Sequence, residues 1–317
     1  MKSRFHFFII IGILLISFVL GSFFDLQIDK ALWSENNAFG LIMASFGVYP
    51  CYAGLAFIGG GLMSTTIKRK ELPLWGKIPC YLLSGIAYVM AIYLCGKEWP
   101  SVNGYNVPHL AWLSYLISAI VFGGVYVAAY LVCRKGDIKQ TWSMLLVMTA
   151  IFVVALLPAG FAIKLIIHRP RFRYLVRTGV TPFYNWWENC SNYKNIIEDY
   201  EGVGIQGFPI TKEDFKSFPS GHSGTGMIMA MFLAYAPFFF NKLKGKETLM
   251  FYIGAAFGFL MMFSRMVVGA HFLTDTCMGS LIVMVVFYIA NEVALRKNFF
   301  APKEAALEEK EEPATQE

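Results

Sequence analysis

Eight apolar runs, at about 7–24, 39–63, 80–96, 110–133, 141–163, 222–240, 248–263 and 272–295, follow one another along 317 residues with polar connections between them. Nothing else in the chain restricts its fold as strongly. A run of roughly 20 apolar residues, coiled into a helix, matches the hydrocarbon thickness of a bilayer. Lipid offers an open backbone no hydrogen-bonding partner, so such a run crosses as a helix that satisfies its own N–H and C=O groups. The expectation is an all-α, polytopic integral membrane helical bundle of about eight transmembrane helices. Composition agrees, at 56% hydrophobic and 15% charged residues, where a soluble domain carries about 25% charged residues. The 80–96 and 248–263 runs are short, and their limits are set only to within several residues. Residues 7–24 are long for the apolar core of a signal peptide and lack a small-x-small cleavage site, so they count as the first span.

The net charge of +6 does not point to nucleic acid, because most Lys and Arg lie in short loops and no nucleic-acid module is present. Lys68, Arg69, Lys70 and Lys77 fill one loop, Arg134, Lys135 and Lys139 another, and Lys242, Lys244 and Lys246 a third; Arg296 and Lys297 follow the last run. The alternate short loops carry little beyond Lys30 and Lys97. Positive loops stay in the cytoplasm. Both termini are therefore expected there, in a bacterial inner membrane, with the 169–219 loop facing the periplasm or exterior. Residues 297–317 are acidic and read as a disordered cytoplasmic tail.

The six cysteines (Cys51, Cys80, Cys95, Cys133, Cys190, Cys277) form no CxxC pair and no metal-ligand spacing, so neither a metal nor a cofactor is expected. Cys190 alone sits in the long polar loop, and a Cys95–Cys190 disulfide stays open if both face outward. That loop also holds Phe183, Tyr184, Trp186, Trp187, Tyr193 and Tyr200. These aromatics read either as anchors in the headgroup layer or as a lid that admits a headgroup.

Chemistry gathers in three charged clusters at span boundaries: KLIIHRPRF at 164–172, FPSGH at 218–222 and SRMVVGAHFLTD at 264–275. His271 and Asp275 are four residues apart and on a helix would share a face. The carboxylate would then hold one imidazole nitrogen and leave the other as a nucleophile; the plainer reading is a pair that only satisfies itself. Arg265 can grip two phosphate oxygens at once or merely snorkel to the interface. Ser220 can serve as a helix N-cap, Gly221 permits close backbone approach, and His222 is a candidate general acid; the plainer reading is an ordinary capped helix start with an interfacial histidine. Lys164 and Arg171 can surround an anion, with Arg169, Arg173 and Arg177 nearby; singly, each is an ordinary charge flanking a span.

Together, KxxxxxxR, PSGH and SRxxxxxHxxxD, in that order, resemble the motifs of the type 2 phosphatidic acid phosphatase superfamily, which also includes vanadium haloperoxidases and glucose-6-phosphatases. The second and third motifs match without a gap. In the first, Arg171 is followed by Phe172 where the family usually has proline, and Arg169-Pro170 is an alternative anchor with a shorter spacing. The motifs cover 164–275, and the surrounding spans fit from 141 to 296. Membrane members commonly have six spans with the first motif after the third. Here it follows the fifth, so about two extra spans lie within 1–140.

The resemblance implies a metal-independent phosphatase. His271 would attack phosphorus, Asp275 orient it, and His222 protonate the leaving oxygen. Lys164, Arg171, Ser220, Gly221 and Arg265 would hold the phosphoryl oxygens. The implied substrate is a lipid phosphate or diphosphate: phosphatidate, phosphatidylglycerol phosphate, a polyprenyl diphosphate or a lipid A type. A phosphotransferase of the same family, and a non-catalytic transporter or lipid-binding protein, are the alternatives. The charge pattern makes its own prediction. A cysteine introduced by Asn192→Cys, in a background lacking Cys190, will react with an impermeant thiol reagent in intact cells; reaction only after lysis would invert the topology.

Overall fold

A computed structural model describes residues 4–98, 111–157, 163–200, 204 and 210–296. Its long helices are α1 (Phe5–Leu32), α3 (Tyr49–Lys68, preceded by the short α2, Ala38–Phe46), α4 (Leu74–Gly96), α5 (Ala111–Cys133), α6 (Ile138–Leu157), α11 (Glu247–Val267) and α12 (Leu273–Arg296). Between α6 and α11 lie the short α7 (Phe172–Thr178) and α8 (Tyr193–Asp199), then α9 (Gly221–Met227) and α10 (Met229–Phe239). Among the described residues there is no strand. Counting α2 and α3 as one crossing, seven segments are long and apolar enough to span a membrane. The expected run at 222–240 is divided between α9 and α10 at Ile228. Its backbone ladder continues through the division: Ile228 N–H donates to Gly224 O and Phe232 N–H to Ile228 O. Neither helix of the pair is long enough to count as a span, so seven crossings stand among the described residues where about eight were expected.

Burial is inverted relative to a water-soluble bundle. Phe8, Leu15, Ile16, Leu20 and Phe23 of α1 face outward, while Asp25 and Asp29 of the same helix are buried. Water would penalise that arrangement and lipid favours it, since the outer surface needs apolar side chains and the charges find partners inside. The protein is a polytopic helical membrane protein. α1 runs on to Leu32, beyond the expected end at 24, because both acids lie on its inward face and do not stop the helix. The runs expected as short are likewise longer, at Leu74–Gly96 and Glu247–Val267.

α1 packs along α12, α6 against α3 and α12, and α9–α10 against α11, with α9 also on α12. α4 and α5 pack on α3 and on each other. Two close approaches fix the arrangement. A Cβ on Gly60 of α3 would lie 2.0 Å from the Tyr126 carbonyl oxygen of α5, and one on Gly279 of α12 would lie 2.2 Å from that of Ser220. Only glycine lets those backbones meet.

The 169–219 loop carries a small core of its own, with Tyr174, Cys190, Ile196 and Phe215 buried together and Tyr184, Tyr193 and Tyr200 packed around them. Trp186 donates from Nε1 to Ser22 Oγ of α1 at 3.0 Å and stacks on Phe218. Three of the six loop aromatics thus pack on the loop's own core, Phe183 meets Phe272, Trp186 meets Phe18 and Phe218, and Trp187 stays exposed. The Cys95–Cys190 disulfide is overturned. All six cysteines are free and buried, Cys95 in the helical core and Cys190 in the core of the loop. The expected tail at 297–317 lies outside the described residues.

One buried network ties α1 to the loop and to α12. Arg169, fully buried, donates from Nη2 to Asp25 Oδ2 at 2.9 Å and from Nη1 to Thr274 Oγ1 at 2.9 Å. Thr274 in turn donates its backbone N–H to Asp25 Oδ1 at 3.0 Å and its hydroxyl to Asp25 Oδ2. Removing one partner of a buried ion pair costs about 3–5 kcal/mol, because the other charge stays buried and uncompensated. Arg169→Ala is therefore expected to lower the unfolding midpoint of the detergent-solubilised protein sharply, followed by tryptophan fluorescence. Asp25→Asn, which keeps an acceptor, should cost less.

Candidate active site

Asp275, in the first turn of α12, is the residue on which the three motif segments converge. Its Oδ1 accepts from Arg169 Nη1 at 2.6 Å. Its Oδ2 accepts from the Ser217 hydroxyl at 2.5 Å and from Phe272 N–H at 2.8 Å. Its backbone oxygen accepts from Ser220 N–H at 2.9 Å. Arg169 also donates from Nε to Tyr184 O at 2.8 Å, and its guanidinium lies 4.1 Å from the centre of the Phe272 ring. With four hydrogen bonds of its own to protein acceptors, Arg169 is committed to holding the structure. Arg171 is freer: Nε donates to Glu213 O at 2.8 Å, and the Glu213 carboxylate stands 3.9 Å from Nη2.

His271 lies in the turn between α11 and α12. That turn needs Gly269 at φ 63°, a left-handed conformation few other residues adopt. Here the geometry corrects the expected helical face: His271 precedes α12, and its Nδ1 is 3.9 Å from Asp275 Oδ2. Nδ1 is instead 2.6 Å from the Ser217 carbonyl oxygen. A carbonyl only accepts, so Nδ1 carries the proton and Nε2 the lone pair. Asp275 reaches His271 through Ser217, whose hydroxyl it holds. Burial first, then the charges of Arg171, Lys164 and Arg265, keep the His271 imidazole well below its usual range, so it is neutral at neutral pH.

Around that neutral ring the charge is mostly positive. Arg265, in the last turn of α11, is 4% exposed, and its Nε and Nη1 have no hydrogen-bond partner among the described residues. Lys164 sits in a 3₁₀ turn after α6, where burial and then Arg171 push its ammonium down to about 7. Arg173 of α7 is pushed down to about 9 by burial and by Arg171 and Arg265. Ser220 caps α9; its Oγ accepts from Ser223 N–H at 3.3 Å and from the Ser223 hydroxyl at 2.9 Å. Gly221 is the first helical residue and His222 the second. Buried guanidinium donors without acceptors are costly, and the missing complement is an anion with several oxygens.

Lys164, Arg171, His222, Arg265 and His271 are thus brought within electrostatic range of one another, with Ser220 and Asp275 joined by a hydrogen bond. Three contributors were not singled out from the sequence. Asp25 had a signal, since an acid inside a membrane span normally has a partner. Ser217 had none, because its contribution is largely a backbone carbonyl. Glu98 stands 3.3 Å, carboxylate Oε2 to Nε2, from His222. Burial opposes its charge, but His222, Lys97 and Arg265 hold its carboxyl down at about 2.

A family model described as the PAP2 superfamily matches residues 141–299, half of the chain. Among curated proteins and among solved structures nothing matches the chain. The matched region contains the Lys164–Arg171 segment, the PSGH turn and the α11–α12 turn, the segments that meet around His271. With its membrane-spanning helices and this match, the chain belongs to the PAP2 superfamily, a group made up generally of phosphatases.

Proposed function

We propose that the protein hydrolyses a phosphomonoester or diphosphate of a lipid, through a phosphohistidine on His271, at the extracytoplasmic face of the membrane. The observation that carries this reading is a neutral His271 with its tautomer set by Ser217, facing Lys164, Arg171 and an Arg265 whose buried Nε and Nη1 have no acceptor among the described residues. A site that only bound an anion would need the cations but not the oriented lone pair.

In this mechanism His271 Nε2 attacks phosphorus, and the Nδ1–H bond to Ser217 O supports the positive charge that develops on the ring. The departing oxygen takes a proton from His222. Water then attacks the phosphohistidine and gives its proton back to His222. Lys164, Arg171, Arg265, Ser220 and the Gly221 amide hold the phosphoryl oxygens, where positioning and charge stabilisation supply most of the catalysis. A lipid substrate is supported by the site's place at the ends of long apolar helices; phosphatidate, phosphatidylglycerol phosphate, polyprenyl diphosphates and lipid A phosphates are all candidates. The same reading puts both termini in the cytoplasm. The loops between α3 and α4, α5 and α6, and α10 and α11, which carry the Lys and Arg clusters, lie at the opposite end of the bundle from the site.

The decisive assay is phosphate release from lipid phosphates and diphosphates in mixed micelles containing EDTA. Turnover is expected in wild type, with inhibition by orthovanadate and none detectable in His271→Ala. Arg265→Ala should reduce kcat by about 10²–10³, the usual cost of one oxyanion donor. Activity lost in EDTA and restored by Mg²⁺ would overturn the mechanism. Lys164 supplies a pH signature. An ammonium with a pKa of about 7 is cationic below that pH and neutral above it. Inorganic sulfate, which does not titrate near neutrality, should therefore bind progressively less well as pH rises through 7, measured as competitive inhibition. Lys164→Arg should flatten that dependence, because guanidinium stays charged.

A further inference from the structure

Resting on the function proposed above, we infer that Glu98, supplied by the α4–α5 pair, is the positioning carboxylate for the general acid His222. Glu98 Oε2 and His222 Nε2 are 3.3 Å apart, and both side chains are 23% exposed. Glu98 follows directly on α4, whose last residue, Gly96, is pressed onto α5 so closely that a Cβ there would lie 2.2 Å from the Tyr115 ring. Two helices outside the three motifs, α4 and α5, therefore place one acid at the motif site.

The charge inventory around His222 shows why an acid is needed. His222 is faced by Arg265 from α11, Lys164 from the turn after α6, Glu98 from the end of α4, and His271 from the α11–α12 turn. Glu98 is faced in turn by Lys97 and Arg265, with Tyr52 and Cys95 near it. Of the groups around His222, two are cations and one is an imidazole that becomes positive during attack. A general acid must be protonated when the leaving oxygen departs, and nearby cations work against that. Burial works against it as well, and Glu98 is the anion that partly offsets these influences.

The contact also selects the nitrogen. With Nε2–H on Glu98, the proton given to the departing oxygen is the one on Nδ1. In the first step the P–O bond to the lipid breaks, Nδ1–H passes to that oxygen, and His222 is left neutral. In the second step Nδ1 takes a proton from the attacking water and the imidazolium is restored, still paired with Glu98.

The test compares wild type, Glu98→Gln, Glu98→Asp and His271→Ala on a lipid phosphate, whose alkoxide leaving group needs a proton, and on p-nitrophenyl phosphate, whose leaving group does not. Glu98→Gln should lower kcat/KM on the lipid roughly 10–10²-fold, part of the 10²–10⁴ a general acid supplies. It should leave kcat/KM on the aryl substrate, which does not include the later hydrolysis of the phosphohistidine, within about threefold by the same reasoning. The basic limb of its kcat–pH profile on the lipid should move down by about one unit, the shift expected when an opposite charge at this distance is removed. Glu98→Asp, which keeps the charge, should recover part of the rate and return the limb toward its wild-type position. Equal losses on both substrates with an unmoved limb, or no loss at all, would overturn the inference. Failure of wild type to turn over any phosphate, or full activity in His271→Ala, would instead overturn the proposed function. If Glu98→Gln does not fold, the position of the limb in Glu98→Asp decides, because a shorter carboxylate stands farther from Nε2 and must shift the limb in the same direction by less.

Discussion

The Arg169–Asp275 contact is the interaction on which the rest of the structure depends. Arg169 and Asp275 are both fully buried and 2.6 Å apart, in surroundings where either charge alone would be severely destabilising. The pair persists because every neighbour is recruited to it: Asp25 from α1, Thr274 from α12, the Tyr184 carbonyl from the loop and the Ser217 hydroxyl beside the PSGH turn. A buried ion pair is poor evidence of stability in itself. Here its consequence is geometrical, since segments far apart in sequence are held in one register around it.

That register makes the second feature possible, a surplus of positive charge around a neutral histidine. Lys164, Arg171 and Arg265 repel one another, and the fold tolerates this because Asp275, Glu213 and Glu98 stand near them. Arg169 has acid partners that satisfy it; Arg265 has buried donors with none among the described residues. Side by side, the two show how one residue type divides between holding the protein together and waiting for an anion. His271 gains by the same arrangement, because burial and the surrounding cations keep its lone pair free.

The scaffold supplies more than a hydrophobic container. The 169–219 loop is anchored from within by its own small core and from outside by Trp186 on α1, so the backbone that presents Ser217 is braced on both sides. α4 and α5 pack on α3 and on each other and yet bring Glu98 to His222.

The sequence by itself determined the membrane class, the motif segments and their shared end of the bundle. Each follows from local chemistry: the length of an apolar run, the charge of a loop, the spacing of functional residues. It also offered both candidates for the first-motif arginine, and only the tertiary structure separated them, burying Arg169 against Asp25 and Asp275 and leaving Arg171 freer. Spacing suggested that Asp275 holds His271 directly on a helical face; the turn at Gly269 takes His271 off that helix, and Ser217 stands between them. Asp25, Ser217 and Glu98 lie far from the residues they serve, and α9–α10 divides at Ile228 in a run that reads as uninterrupted. Periodicity and spacing describe neighbours along the chain, whereas burial and pairing depend on which distant helices meet, and that is settled only when all of them pack.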